Sequence, residues 1–489
     1  MMRFEPIPAI AKAPSPQRKL GPSAFEYLKA KALDSCFRRN DGHRQPPSKS
    51  LAIRIALVCG LLALAAPAFA QVTPPPHADS GDTAWMLTAS MLVLMMTLPG
   101  AALFYGGMVR AKNLLSVMMQ CLSIAALVTV LWVFYGYSLA FSTEGMQAGV
   151  TNWHSIVGGL DRAMLAGLTP YSRYQTVPES VFVMFQLTFA IITPVLVIGA
   201  FAERMKFSAM LCFSGLWLTF AYLPVAHMVW SGPGSLLGDM GVLDFAGGTV
   251  VHINAGIAGL VACLVIGKRR GWPHTHMPPH NLGYTVIGAS LLWLGWFGFN
   301  AGSAVAANGS AGMAMLVTQI AAAAAAIGWT AVEWAIHKRA SVLGIASGAV
   351  AGLVAVTPAA GTCGPGGALL IGLAAGGICF FTATRLKHKL GYDDTLDVFG
   401  VHAIAGIVGA LLTGPFAAPK LGGFGTVASP LLQLWIQAKG VGFTIVWSAA
   451  LSFVILKLLD RTIGLRVDAE QEQMGLDLAE HEERAYNLS

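Results

Sequence analysis

Eleven apolar runs, each long enough to cross a bilayer, constrain what this 489-residue chain can become. They lie near 84–107, 114–140, 179–202, 208–229, 246–267, 282–304, 312–336, 342–358, 366–384, 398–416 and 434–459. A spanning helix needs ~20 apolar residues, and lipid offers no partner to an unpaired backbone group, so such runs read as helices. Trp85, Trp132, Trp230, Trp293 and Trp435 stand near several run ends, where amphipathic rings favour the headgroup layer. Only 11% of the residues are charged and 55% are hydrophobic. Soluble domains carry about a quarter charged residues, so a soluble globular enzyme of this size is excluded. Disorder, which needs low hydrophobicity and high charge, is excluded too. The expected class is an all-α polytopic membrane protein.

The net charge of +7 does not point to nucleic acid. Ten of the 31 Lys and Arg, against four of the 24 Asp and Glu, fall in residues 1–50, and from Gln71 onward the two signs balance. The basic excess belongs to an N-terminal extension rather than to a binding face. The seven cysteines show no C-x-x-C and no haem-attachment spacing, and read as small buried hydrophobes. No metal site and no cofactor is expected.

Residues 1–50 are rich in Pro and Arg and lack helical or strand periodicity. A signal-like pattern over 51–70 follows. Lys49 and Arg54 precede an apolar run from Ile55 to Ala66, and Ala68-Phe69-Ala70 is a small-x-small cleavage site before Gln71. A signal preceded by fifty residues suggests a start site assigned too far upstream. The expected partition is extension 1–50, signal peptide 51–70, short periplasmic lead 71–83, membrane domain 84–460 and cytoplasmic tail 461–489.

Charges alternate between the loops. One set holds Arg110, Lys112, Arg204, Lys206, Lys268, Arg269, Arg270, Lys338, Arg339, Arg385, Lys387 and Lys389; the other holds Arg162, Arg173, Lys420 and Lys439. The positive-inside rule puts the richer set in the cytoplasm, which leaves the processed N-terminus outside and, after eleven spans, the C-terminus inside. Glycine supplies 55 residues, many within the spans, as close helix packing in lipid requires.

An internal repeat marks a centre. His252-Ile253-Asn254-Ala255-Gly256-Ile257-Ala258-Gly259 in the fifth run and His402-Ala403-Ile404-Ala405-Gly406-Ile407-Val408-Gly409 in the tenth both read H-x-x-A-G-I-x-G. An odd number of spans separates the copies, so they run in opposite directions. That is the mark of an inverted five-helix repeat, here with one extra helix, whose site lies where the halves meet.

His252 and His402 are ionisable groups inside apolar helices, where such residues are costly and usually functional. If the two touch, one ring nitrogen donates while the other accepts, and a neutral pair lines a narrow path and passes protons. Asp244 opens the stretch before the fifth run and reads either as a cation-attracting carboxylate or as a helix cap. Phe185 and Phe189 lie one turn apart; Phe299 follows Trp293 and Trp296; Trp230 ends the fourth run. A desolvated cation gains about 2 kcal/mol over an indole, whereas burying a bare ion costs on the order of 20 kcal/mol in the idealised case. An NH4+ ion escapes that cost by leaving its proton behind. Ser303 offers one hydrogen-bond acceptor nearby.

These residues carry a resemblance. The chain resembles the Amt/Mep/Rh ammonium transporter family, in its bacterial Amt branch, over roughly 80–489. The matching stretches include Leu103-Phe104-Tyr105-Gly106-Gly107, Gly199-Ala200-Phe201-Ala202-Glu203-Arg204, Ala226-His227-Met228-Val229-Trp230 and Asp244 through Asn254. Gly295 through Ser303, Val356-Thr357-Pro358-Ala359 and Asp397 through His402 match as well, as do Gly464-Leu465-Arg466-Val467 and His481 to Asn487 in the tail. The resemblance implies eleven helices, a homotrimer in the bacterial inner membrane, and one pathway per subunit. It implies an outer ammonium site of Trp230, Phe189, Ser303 and the Ala246 carbonyl, with Asp244 behind it; Phe185, one turn before Phe189, is counted with that site. Phe189 and Phe299 would form a gate, and His252 and His402 the twin histidines. Gln186, Tyr222, Trp296 and Thr357 fall at secondary pore positions. A PII-type signalling protein at the cytoplasmic face is implied as a partner. The segment from Ser231 to Asp239 varies in length among relatives.

Two other function classes compete with transport. An ammonium sensor would signal through partners, but the thirty residues from Asp460 are few for a signalling domain. A redox enzyme would use the two histidines as haem ligands, and an absorbance spectrum tests that.

Overall fold

The computed structural model describes residues 78–487. The extension, the signal pattern and most of the lead to residue 83 lie outside the described residues. Ten helices there are long and apolar enough to cross a membrane. They are α1 (Ser80–Met108), α2 (Ala111–Phe141), α3 (Glu179–Phe201), α4 (Phe207–Trp230), α5 (Gly248–Ile266), α6 (Leu282–Gly302), α7 (Gly309–His337), α9 (Pro365–Leu390), α10 (Phe399–Phe416) and α11 (Pro430–Thr462). The eighth apolar run forms a shorter helix, α8 (Val342–Val356). Its 15 residues reach roughly 22 Å at the usual rise, less than the hydrocarbon thickness. A small antiparallel hairpin, β1 (Arg173–Tyr174) with β2 (Val177–Pro178), precedes α3.

The helices begin where side chains satisfy their first amides. Asp79 accepts from Asp82 N at α1, Asn308 from Ser310 N and Ala311 N at α7, Ser341 from Gly344 N at α8, and Ser429 from Leu432 N at α11. Packing is close because small residues sit at the crossings. The repeat shows this in a reciprocal way. A β-carbon on Gly256 would lie 2.7 Å from Cα of Ala403, and one on Gly406 would lie 3.0 Å from Cγ1 of Ile253. Gly256 and Gly406 are repeat equivalents, as are Ile253 and Ala403. Each copy therefore meets its partner through the same two positions, as a twofold relation demands.

The basic loops converge on acidic partners at one end of the bundle. Glu203, buried and left-handed at φ 74°, accepts from Arg110 N at 2.7 Å, Asn113 Nδ2 at 3.0 Å and Arg269 Nη1 at 3.0 Å. Arg269 also forms a two-pronged pair with Asp393 at 2.8 and 2.9 Å. Burial pushes the Glu203 and Asp393 carboxyls up, but the arginines outweigh it and hold both below the usual range. The tail lies on this same end through α12 (Ala469–Met474) and α13 (Leu476–His481). Leu476 N donates to Asn113 Oδ1 at 2.8 Å, Ser116 N to Asp477 Oδ1 at 2.7 Å, Arg270 N to Glu472 Oε1 at 2.8 Å, and Phe207 N to Glu480 Oε2 at 3.0 Å. The basic loops and the tail thus share one face, while Trp230 closes the opposite end of α4.

Candidate functional site

Both histidines sit in helix starts of the same unusual build. Each follows a left-handed residue five positions earlier, Gly247 at φ 114° and Asp397 at φ 59°. Each lies in a wide, π-type stretch, Gly248–Ile253 and Phe399–Ala403, of the kind that recurs at functional sites. Each is preceded at eight positions by an aspartate that caps the stretch. Asp244 accepts from the amides of Gly247, Gly248, Thr249 and Val250 at 2.7–3.0 Å. Asp394 accepts from Phe399 N at 2.7 Å through Oδ2, while its buried Oδ1 has no partner. Asp244 is therefore a cap, built from both carboxylate oxygens. Burial raises its carboxyl above the usual range, and the four amides offset only part of that rise.

The two imidazoles meet at the repeat crossing. Their planes are 13° apart and their centroids 5.5 Å apart, with no hydrogen bond between them among the described contacts. Both nitrogens of His252 and Nδ1 of His402 are buried and unpartnered. The indole of Trp296 stacks on His252 at 5.3 Å and donates Nε1 to Thr357 Oγ1 at 2.9 Å, which fixes it as a wall. A buried polar group is normally hydrogen-bonded, so three free ring nitrogens in one spot call for a ligand or water.

Three cavities follow one another along this line. The first, about 150 Å³, opens at the Trp230 end and is lined by Phe189, Trp230, Gln186 and Ser303 among others. Phe189 and Phe299 then stack at 4.2 Å and 34° and close it below. The second is only about 10 Å³ and is lined by His252, His402, Trp296, Phe299 and apolar side chains. That volume holds about one water. The third, about 150 Å³, reaches His402 from the basic end and is lined by Asp397, Glu333, Ser347 and Thr384.

Most of the sequence-derived residues fall on this line, with differences in position. Phe189, Trp230, Ser303 and Gln186 share the first cavity. The Ser303 hydroxyl donates to Phe299 O at 2.8 Å, so its lone pairs remain free to accept. Trp230 Nε1 donates to Asp244 O at 2.8 Å, which ties the indole to the capped turn. Ala246 is buried next to it. Phe185 packs edge-on to Phe189 at 4.9 Å and backs onto Gly302, behind the cavity wall. Tyr222 is buried in α4 and does not line the cavities described here, and Thr357 acts through Trp296. The sequence reading missed Asp394, although its spacing to His402 repeats that of Asp244 to His252. It also missed Tyr174, Gln175 and Val305 in the first cavity, because loop residues carry no periodicity.

The comparisons with known proteins place the chain in one family. The model of the Ammonium Transporter Family matches residues 84–486. An ammonium transporter of Mycobacterium tuberculosis is 48% identical over 436 residues, 84% of this chain and 91% of that protein. One from Bacillus subtilis is 47% identical over 414 residues, 84% of this chain and 99% of that protein. Among solved structures, Mep2 of Candida albicans superposes with a TM-score of 0.73 at 34% identity, covering 81% of this chain and 88% of that one.

Proposed function

The chain belongs to the ammonium transporter family, and from that premise we propose that it captures NH4+ at the Trp230 end, where the ion gives its proton either back to outside water or to the histidine pair, and passes NH3, without or with that proton, along His252 and His402. It is a membrane transporter, not an enzyme. The observation that carries the mechanism is the stacked pair of histidines with three unpartnered nitrogens, sealed between the Phe189–Phe299 stack and the cavity at Asp397.

The physics of the line favours this order of events. In the first cavity a cation meets the rings of Trp230 and Phe189 and the free lone pairs of Ser303 Oγ. The carbonyl of Ala246 adds a further acceptor, with Asp244 holding the turn behind it. Cation–π contacts contribute about 2 kcal/mol, far short of the on the order of 20 kcal/mol needed to strip an ion into a dry interior. Beyond the Phe189–Phe299 gate the path is nearly closed and lined by apolar groups, so a neutral NH3 passes where K+ does not. Unpartnered imidazole nitrogens accept from or donate to the amine in turn, which replaces the water it left. Gln186 faces the entry, and Trp296, held by Thr357, confines the amine against His252.

Orientation follows from the basic loops: the end with Arg110, Arg269 and the tail faces the cytoplasm and the Trp230 end faces outward. For a bacterial chain this membrane is the inner one. We also propose a homotrimer and a PII-type partner at the cytoplasmic mouth, where the docked tail is within reach.

The deciding test is the current evoked by an ammonium jump in proteoliposomes, read beside interior pH. Current with matching uptake means that a proton crosses as well. Interior alkalinisation without current means neutral NH3 conduction. Silence in both, from folded protein, sinks the transport mechanism and favours a sensor.

A further inference from the structure

We propose that the β1–β2 hairpin completes the outer ammonium site, with Gln175 as a second hydrogen-bond acceptor and Tyr174 as a further aromatic wall, and that this hairpin sets the preference for NH4+ over substituted amines. The inference rests on the transport reading above and deepens it at residues outside the long family motifs.

The first observation is placement. Tyr174 and Gln175 line the same cavity of about 150 Å³ as Trp230, Phe189 and Ser303. The register pairs Arg173 with Pro178 and Tyr174 with Val177, so Gln175 and Thr176 are the two turn residues. A two-residue hairpin turn normally recruits Gly, Asn or Asp, because it requires positive φ. Here Gln175 takes φ 52°.

The second observation is strain from the other side. Val305, on the loop after α6, also lines this cavity and sits at φ 53°. A β-branched residue at positive φ is a genuine outlier. Strained backbone persists where its surroundings over-determine it, and it clusters at ligand sites. Two such residues, from loops 130 positions apart in sequence, converge on one small cavity.

The surroundings do over-determine both loops. Tyr174 stacks on Phe182 with centroids 3.5 Å apart and planes 9° apart. Glu179 N donates to Ser172 O at 2.8 Å, and Asp79 N to Thr176 O at 2.9 Å. The other loop is held by Ala307 N donating to Asp82 Oδ1 at 2.7 Å. Both loops are thus pinned to the start of α1, which gives the cavity a fixed roof.

The chemistry suits a small cation with several N–H donors. Ammonium has four, and Ser303 Oγ satisfies one. The Gln175 amide oxygen satisfies another, and the Tyr174 ring adds a face for the charge. Methylammonium loses a donor and gains a methyl group that the pinned roof must accommodate, and K+ offers no donor.

The test uses the full chain in proteoliposomes, with ammonium and methylammonium transport measured across concentration by current and interior pH together. Gln175→Gly keeps the turn, because glycine accepts positive φ freely, and removes only the amide. It is expected to raise the half-saturating ammonium concentration about tenfold with the plateau rate kept, and to weaken the preference over methylammonium. Tyr174→Leu is expected to move both quantities the same way, while Tyr174→Phe leaves them near the parent. Unchanged half-saturation and preference in both Gln175→Gly and Tyr174→Leu, beside a conducting parent, overturn the inference. A folded parent with neither an ammonium-evoked current nor an interior pH change overturns the transport reading instead.

Discussion

His252 and His402 lie nearly parallel, 13° apart with centroids at 5.5 Å, and leave three ring nitrogens without partners in a buried pocket. The pair is held by the reciprocal crossing of Gly256 on Ala403 and Gly406 on Ile253.

His402→Ala is expected to lower ammonium conduction at least tenfold while the protein stays folded. On the proposed mechanism the lost imidazole removes the second relay partner and leaves a hydrophobic gap. Uptake and current in proteoliposomes check this, and unchanged rates would end the proton-handling role.

Asp244→Ala strips four buried amides of their acceptor. A destabilisation of at least ~2 kcal/mol is expected, with loss of transport. Asp244→Asn keeps one acceptor oxygen and is expected to fall between. Thermal melts read beside uptake separate the two effects, and an Asp244→Ala variant that melts and transports normally refutes the cap.

Gly256→Leu places a side chain where Cα of Ala403 already stands 2.7 Å from the site of a β-carbon. The crossing must open, at a cost of roughly 1–3 kcal/mol or more, and transport is expected to fail with it. Gly366→Ala, which meets nothing within 4 Å, is the control expected to leave both unchanged.

Asp394 predicts a pH dependence. Burial first, and the neighbouring Asp397 second, push its carboxyl up to about 6, against the pull of Lys387. A raised folded value means that the neutral form contributes stability that is full below the unfolded value of about 3.9 and is lost as pH rises through the folded one. Asp394→Asn cannot ionise. The stability gap between variant and parent is therefore expected to move in the variant's favour between pH 4 and 7, by melting temperature across that range. A gap that stays constant with pH excludes this titration.

Glu203 predicts the opposite sign. Burial raises its carboxyl, but Arg269 and Arg110 bring it below the usual range, so its contribution is present above about pH 4 and is lost as pH falls through the folded value. Glu203→Gln imposes the neutral state at any pH and leaves Arg110 without its ion-pair partner, a loss of about 3 kcal/mol for a broken buried pair. The tail docks on Asn113, which donates to Glu203. Limited proteolysis at neutral pH is therefore expected to cut residues 469–487 faster in the variant, and equal cutting rates would uncouple the tail from this network.

The membrane class, the helix spans, the repeat and the histidine pair were all legible in the sequence. Apolar run length responds to a single constraint, the thickness of the lipid, and H-x-x-A-G-I-x-G recurs at fixed spacing. The eighth run was a limiting case: its 17 apolar positions (342–358) end in turns, leaving the 15-residue α8. Asp394 was within reach of the same reasoning, since it stands at the spacing of Asp244, but its chemistry differs because the inner cap receives fewer amides. Phe185 looked like a site residue by its turn-to-turn spacing with Phe189, and the close approach of Gly302 puts it behind the wall instead.

What the sequence alone determined, then, was which residues must leave water and which few polar groups must follow them into lipid. Only the tertiary structure decided that these groups fall on one line: His252 beside His402, Phe189 on Phe299, and Gln175 with Val305 over Ser303. Periodicity records the face a helix buries, because burial acts on every turn alike. Which helix covers that face, and which loop roofs a cavity, depends on contacts between segments a hundred or more residues apart. Those contacts are set by shape at single glycines and by hydrogen bonds such as those of Asp79 and Asp82 to distant loops.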